Sequence, residues 1–343
     1  MKHFSILIAS LLGLLMLSTS CNDEWTQEQY THYISFRAPL NDQGVTNIYV
    51  PYSRKDKDGN YLYGEGQSSY QLPVIVSGSK TNEQNYSVHI ATDLDTLNVL
   101  NYARFQNRKD LYYVDMSQYA SYSDVLEISA GKDISLLDLR FDFKKGTDGG
   151  IDMSEKWLLP LTVVDDPSYG YQSHPRKNYA KAMLRVFPFN SYSGDYSGTA
   201  LKFFNTGDEA NATTSETVRG YVVDEHTLFF YAGNINENRT DRKNYKVYAH
   251  FNGDKSGTVD FYSTNAALKF KVNKQASFRI VEQMDEIQPY LKHRYVIINN
   301  ISYDYVDYTS IPGTEINYSV SGTLTLERKL NTQIPDEDQA IMW

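Results

Sequence analysis

Residues 136–143 read LLDLRFDF. Leu137, Leu139, Phe141 and Phe143 fall on one side of an extended chain, and Leu136, Asp138, Arg140 and Asp142 fall on the other. A period of two with one apolar face is the pattern of a half-buried β-strand. The stretch before it, DVLEISAG at 124–131, ends on the turn residue Gly131, so the two together predict a hairpin.

Outward from this pair, YQLPVIVSG (70–78), NYSVHIATD (85–93), KWLLPLTVVDD (156–166) and KAMLRVFPF (181–189) are short strands bounded by Gly, Asn, Asp or Pro. They predict an immunoglobulin-like β-sandwich over 31–188. LDTLNVLNYARF (94–105) fits a short helix or an extended loop, and its pattern does not decide between them. FPFNSYSGDYSG (187–198) gathers Pro, Asn, Ser and Gly and predicts a seam at Pro188 to Asn190. Beyond it, segments such as VRGYVVD, TLFFYAG, YKVYAHF, GTVDFYS and ASFRIVE alternate in the same way with short connections. About eight such strands predict an up-and-down β-barrel over 191–343, because closure removes the exposed edges of an open sheet. EQMDEIQPYL (282–291) is expected to form a helical turn between two of them.

The fold class expected is therefore all-β. Composition agrees: aromatics make up 14% of the 343 residues, with 29 Tyr against 3 Trp. The formal charge of −9 is spread along the chain and speaks against nucleic acid as a partner.

The N-terminus carries Lys2, the uncharged run FSILIASLLGLLML from Phe4 to Leu17, and the small residues Ser18, Thr19 and Ser20, ahead of Cys21, the one cysteine of the chain. The run has the length of a signal-peptide apolar region and falls short of the roughly 20 residues that a spanning helix needs. A signal cut just before a lone cysteine resembles that of a bacterial lipoprotein, although Ser18 stands where the usual lipobox has Leu. The resemblance implies a signal peptide over 1–20, a lipid anchor on Cys21 and a tether over 21–30. Asp23 and Glu24 resemble the signal that sends Bacteroidetes lipoproteins to the outer face of the outer membrane.

The C-terminal run LERKLNTQIPDEDQAIMW, with ISYDYVDYTS and YSVSGTLTL before it, resembles the C-terminal domain of Bacteroidetes surface lipoproteins of polysaccharide-utilisation (Sus-type) systems. YQLPVIVSGSKTNEQNYSVHIATD, VLEISAGKDISLLDLRF and WLLPLTVVDD resemble the immunoglobulin-like N-terminal module of the same family. The resemblance implies a sandwich followed by a lipocalin-like barrel. It also implies a non-enzymatic surface protein that binds polysaccharide or oligosaccharide beside a TonB-dependent transporter and its partner lipoprotein, with no cofactor and no catalytic motif to carry over.

The candidate chemistry is weak elsewhere. Seven histidines are scattered with no pair at metal-ligand spacing, so no metal site is expected. DKDGN (56–60) reads as a hairpin turn in preference to a calcium loop, and GEGQSS (64–69) as a flexible loop. The acids Asp93, Asp95, Asp165 and Asp166 fit strand ends and turns better than a pair of glycosidase carboxyls. Trp157, inside an apolar strand, is expected in the core.

Sugar binding asks for flat aromatic faces with amides and carboxylates beside them. Those types are densest in YAGNINENRTDRKNY, with Tyr231, Asn234 and Asn236, and in ISYDYVDYTS, where Tyr303, Tyr305 and Asp307 share one face of a strand. A glycan site is expected on those six residues. The competing readings are a glycoside hydrolase or lyase with unannounced carboxylates, and an adhesive or structural surface protein with a protein partner.

Overall fold

A computed structural model describes residues 31–146 and 150–334. The predicted signal peptide, Cys21 and the tether lie outside the described residues, as do Trp25, Trp343 and the second half of the C-terminal run, 335–343. The described chain is all β apart from short helices.

Two sheets form the sandwich. One runs, edge to edge, Gln172–Ser173, Tyr33–Phe36, Gln67–Val76, Ile134–Asp142 and Ala120–Ser121. The other runs Thr46–Pro51, Lys181–Phe189, Lys156–Val163, Tyr86–Thr92 and Val125–Ile128. Their inward residues, among them Leu72, Val74, Leu137, Leu139 and Phe141 from one sheet and Val88, Ile90, Leu159, Leu161 and Leu184 from the other, are buried together. The alternation in LLDLRFDF thus faces the core as predicted, with Leu136 left 52% exposed on the other side. The predicted hairpin does not form. Val125–Ile128 pairs with Tyr86–Thr92, and Ile134–Asp142 pairs with Gln67–Val76, so the chain crosses between sheets at Ser129–Asp133. Asn82, buried, holds that crossing by donating from Nδ2 to the carbonyls of Ser129 and Lys132 at 3.3 and 3.2 Å.

LDTLNVLNYARF is a helix, Leu94–Phe105, lying on the outer face of the second sheet. Leu97 packs there with Val45, Tyr113, Leu158 and Met183. Cover on both faces explains why KWLLPLTV is apolar almost throughout. Trp157 is buried in it and donates from Nε1 to the Asp152 carbonyl at 2.8 Å. Asp93 caps the helix, its Oδ1 accepting the Thr96 amide at 2.9 Å, and Lys181 pairs with its other oxygen. Burial alone would raise the Asp93 carboxyl, but the hydrogen bonds from Lys181 and Thr96 outweigh it and hold the group below its usual range. Asp93→Ala is expected to lower stability by about 1 to 2 kcal/mol at neutral pH. Because the folded value lies below the unfolded one, this contribution is present above the unfolded carboxylate range and is lost as pH falls through the folded value. Urea unfolding of both proteins should therefore show a difference that shrinks on acidification.

The strand Lys181–Phe189 ends the sandwich and Gly194–Ser197 begins the barrel. Thr217–Val222, Thr227–Tyr231, Lys246–Asn252, Ser256–Tyr262, Ala276–Met284, Leu291–Asp307 and Ile316–Asn331 follow, each antiparallel to the one before. Ile316–Asn331 also pairs back to Gly194–Ser197 through Thr325 and Ser197, which closes the barrel at eight strands. Phe230, Val247, Ala249, Phe251, Phe278, Val296, Ile298 and Leu324 are buried and fill its lumen, with Tyr192 stacked on Phe251 at 4.2 Å. EQMDEIQPYL makes a tight turn in place of the expected helical one. Asp285 accepts the amides of Ile287 and Gln288, and the strands on either side stay paired as far as Met284 and Lys292. No helix among the described residues is long and apolar enough to cross a membrane.

Candidate functional site

Fold closure brings the two segments chosen from sequence to one end of the barrel. Tyr303, Tyr305 and Asp307 lie at the end of Leu291–Asp307, and the loop 232–245 folds over them. Their polar groups are spent on one another. Asp307 accepts from the Tyr245 hydroxyl at 2.7 Å, from Arg239 Nη1 at 3.3 Å, and from the Thr309 and Ser310 amides at 3.1 and 3.0 Å. Burial would raise the Asp307 carboxyl, yet the donors from Ser310, Arg239 and Tyr245 hold it far below the usual carboxylate range. Arg239 is shared with Asp241 at 2.5 Å and donates to Thr309 Oγ1 at 2.7 Å.

These contacts correct the expectation for three of the six residues. Tyr303, Tyr305 and Asp307 are only 4%, 2% and 4% exposed, so no ring face of either tyrosine is open to a sugar. They do share one face of the strand, but that face points into the protein. Tyr305 stacks on Tyr318 at 5.3 Å, and Tyr303 meets Phe270 at 5.0 Å. Gly233, at φ +57°, fits over this pair because a side chain there would run into the Tyr305 hydroxyl.

Tyr231, Asn234 and Asn236 do come together. They line a pocket of 260 Å³ on the outside of the barrel wall, with Asp195, Arg219, Tyr221 and Glu237. Arg219 and Tyr221 stand two residues apart on one strand, and so share its outer face. Register places Asp195 directly opposite Arg219, and the pair is bidentate at 2.6 and 2.8 Å. That hydrogen-bonded contact pushes the guanidinium above its ordinary value. Tyr221 donates its hydroxyl to Glu237 at 3.3 Å. Burial raises both phenols, Tyr221 and Tyr231, above their ordinary value, so both stay neutral at physiological pH. Asn234 and Asn236 are exposed at the rim. The pocket thus has two largely buried tyrosines, 9% and 7% exposed, at its floor and a rim of amide, carboxylate and guanidinium groups.

The sandwich supports this pocket from behind. Tyr221 and Tyr231 also line a narrow crevice with Met153, Trp157, Arg185 and Phe187 of the sandwich. Arg185 lies 3.6 Å from Glu237 and its guanidinium sits over the Phe187 ring at 4.6 Å. Next to it Arg242, 1% exposed, donates to the carbonyls of Ser154 and Asp110 at 3.0 Å each and to that of Arg239 at 3.2 Å. Lys246 contacts both oxygens of Asp152 at 2.7 Å. One wall of the pocket is therefore fixed by contacts between sandwich and barrel. Asp195, Arg219, Tyr221 and Glu237 escaped the sequence reading, and the signal within reach was the shared face of Arg219 and Tyr221 in VRGYVVD.

The other acids have structural partners. Asp93 caps a helix, Asp165 accepts the Ser173 amide at 2.7 Å, and Asp166 accepts the Ser168 amide at 2.8 Å. Asp56 accepts the amides of Asp58 and Asn60 at 2.9 Å, which makes DKDGN the predicted turn.

A family model for a domain of unknown function, DUF4973, matches residues 25–167, and a model for a C-terminal domain matches residues 180–325. Among solved structures, an auxiliary nutrient binding protein from Bacteroides thetaiotaomicron is 54% identical, with a TM-score of 0.81 over 92% of this chain and 100% of that one. A multidomain protein including DUF1735 from Bacteroides ovatus is 40% identical, with a TM-score of 0.77 over 91% of this chain and 100% of its own. A Bacteroides ovatus protein of unknown function is 35% identical, with a TM-score of 0.77 over 93% and 98% of the two chains. No curated protein matches.

Proposed function

This chain belongs to the family of Bacteroides proteins that includes the auxiliary nutrient binding protein of Bacteroides thetaiotaomicron, and on that premise we propose that it is a non-catalytic saccharide-binding protein of the cell surface. The observation that carries this reading is the pocket formed by Tyr221, Tyr231, Asn234, Asn236, Arg219 and Glu237. The rim groups exchange hydrogen bonds with the hydroxyls of a pyranose, while the edges of the two tyrosines at the floor meet its C–H side. At 260 Å³ the pocket lies just under the about 300 to 1,000 Å³ of drug-sized sites, a scale that suits one sugar ring of a longer polymer. The engagement of Asp93, Asp165 and Asp166 in caps and turns supports a binding role over a hydrolytic one.

In this reading Cys21 anchors the protein in the outer membrane. The bound polysaccharide is then held beside a TonB-dependent transporter and its partner lipoprotein. Affinity electrophoresis against a panel of plant, host and microbial glycans tests the binding. Retardation by at least one polysaccharide is expected, and a clean negative across a broad panel overturns the reading. Membrane fractionation of Cys21→Ala tests the anchor separately: the variant should be released, and unchanged fractionation refutes the anchor.

A further inference from the structure

A cleft of 720 Å³ opens at the edge of the sandwich, with Tyr33, Asp165, Asp166, Tyr169, Gln172 and Lys181 in its lining. Its walls come from both sheets, Tyr33 and Gln172 from one and Lys181 from the other, and the segment 164–171 runs between them. None of these six residues lines the barrel pocket. Tyr169 is the decisive member. Its ring lies parallel to that of His89, 4.0 Å away at 6°, so one face is covered and the ring is held in place. Tyr171 is 5.5 Å from Tyr169 and 6.5 Å from His89, a triangle that puts it beside the Tyr169 ring and not across its far face. No other ring or cation among the described residues stacks on Tyr169. The residue is half-buried and lines the cleft, so its accessible ring surface looks into open space. Its hydroxyl holds no hydrogen bond among the described residues, and neither does that of Tyr33, also half-buried.

The polar groups select a class of ligand. Gln172 is exposed, and its side-chain amide makes no hydrogen bond among the described residues. Asp166, also exposed, accepts the amide and hydroxyl of Ser168 at Oδ1, at 2.8 and 2.6 Å, and leaves Oδ2 open. Lys181, the one lysine or arginine of the lining, is spent on Asp93 and Thr96, so Asp165 and Asp166 leave the cleft net negative. An acidic sugar is repelled there. A neutral ring meets an aromatic face, two phenol hydroxyls, an amide and a carboxylate oxygen, all of them presented to the cleft.

We propose that this cleft is a second saccharide site, which takes an uncharged segment of polysaccharide on the sandwich while the barrel pocket holds another. The proposal rests on the saccharide-binding reading and deepens it by naming the class, a neutral glycan. Two sites on one body let a single polymer engage both, so the second contact becomes intramolecular and overall binding exceeds that of either site.

The test uses the full folded chain, labelled with ¹⁵N, titrated with a panel of neutral tri- to hexasaccharides and with trigalacturonate, while amide shifts are followed around Tyr169 and around Asn236. Shifts in both regions with a neutral sugar support both sites. Shifts around Asn236 alone overturn the cleft and leave the proposed function standing. Shifts around Tyr169 alone support the cleft and overturn the barrel pocket, and no shifts in either overturn both. Trigalacturonate should leave the Tyr169 region unmoved, and shifts there overturn the neutral class. Tyr169→Phe separates binding from folding, because it removes a hydroxyl that holds no bond in the free protein. Its melting temperature should stay level while the cleft's Kd weakens by about threefold to tenfold, and an unchanged Kd overturns the hydroxyl contact. Tyr169→Ala removes the ring face and should weaken that Kd by at least about tenfold. A folded Tyr169→Ala variant that binds as wild type overturns the cleft.

Discussion

Tyr305→Ala is expected to remove about 3 to 5 kcal/mol of stability, the usual loss when a fully buried aromatic ring is cut back to a methyl group. The ring is 2% exposed, stacks on Tyr318 at 5.3 Å and 20°, and lies under Gly233. Its removal leaves a cavity that neighbouring strands of a closed barrel cannot collapse to fill, so both the transfer and the cavity contributions are lost. Chemical unfolding is the measurement. A loss below about 1 kcal/mol would show that Tyr305 is not part of the core and would reopen it as a ligand contact.

Arg242→Met should cost about 1 to 3 kcal/mol for each buried carbonyl left without a donor. The Met side chain approximates the volume but donates nothing, so the carbonyls of Ser154, Asp110 and Arg239 lose a donor in a buried place. Two of the three belong to the sandwich while Arg242 belongs to the barrel side, so the loss falls on the contact between them. Differential scanning calorimetry should show the melting transition lowered and split, as sandwich and barrel cease to unfold together. A variant that melts as one transition at the wild-type temperature would contradict this account of the junction.

The all-β architecture was legible because alternation is a local property: LLDLRFDF shows its buried face within eight letters. Partnership between strands is not local. Val125–Ile128 and Ile134–Asp142 are neighbours in sequence with a turn between them, yet they belong to opposite sheets, and the Asn82 side chain that holds the crossing lies more than forty residues upstream. The helix Leu94–Phe105 stayed ambiguous because Val99 and Tyr102, both apolar, point outward at 69% and 68% exposure and blur its amphipathic pattern.

The same distinction governs the site. That Tyr303, Tyr305 and Asp307 share a face follows from a period of two, but whether that face looks in or out depends on the barrel's closure and on the loop that covers it. Their density of aromatic and polar groups marked a hydrogen-bonded knot as readily as a binding surface. Asp195 and Arg219 could not be paired by reading, since only the register of two strands sets them opposite each other.

The central claim is that the barrel-side pocket holds a saccharide, and calorimetric titration tests it most directly. The best glycan from the panel would be titrated into wild type and into a double variant, Asn234→Ala with Asn236→Ala. Both residues are exposed at the rim, so the melting temperature should change little. Affinity should fall by at least about tenfold as two amide contacts are lost. Affinity equal to wild type in a fully folded double variant would contradict the account.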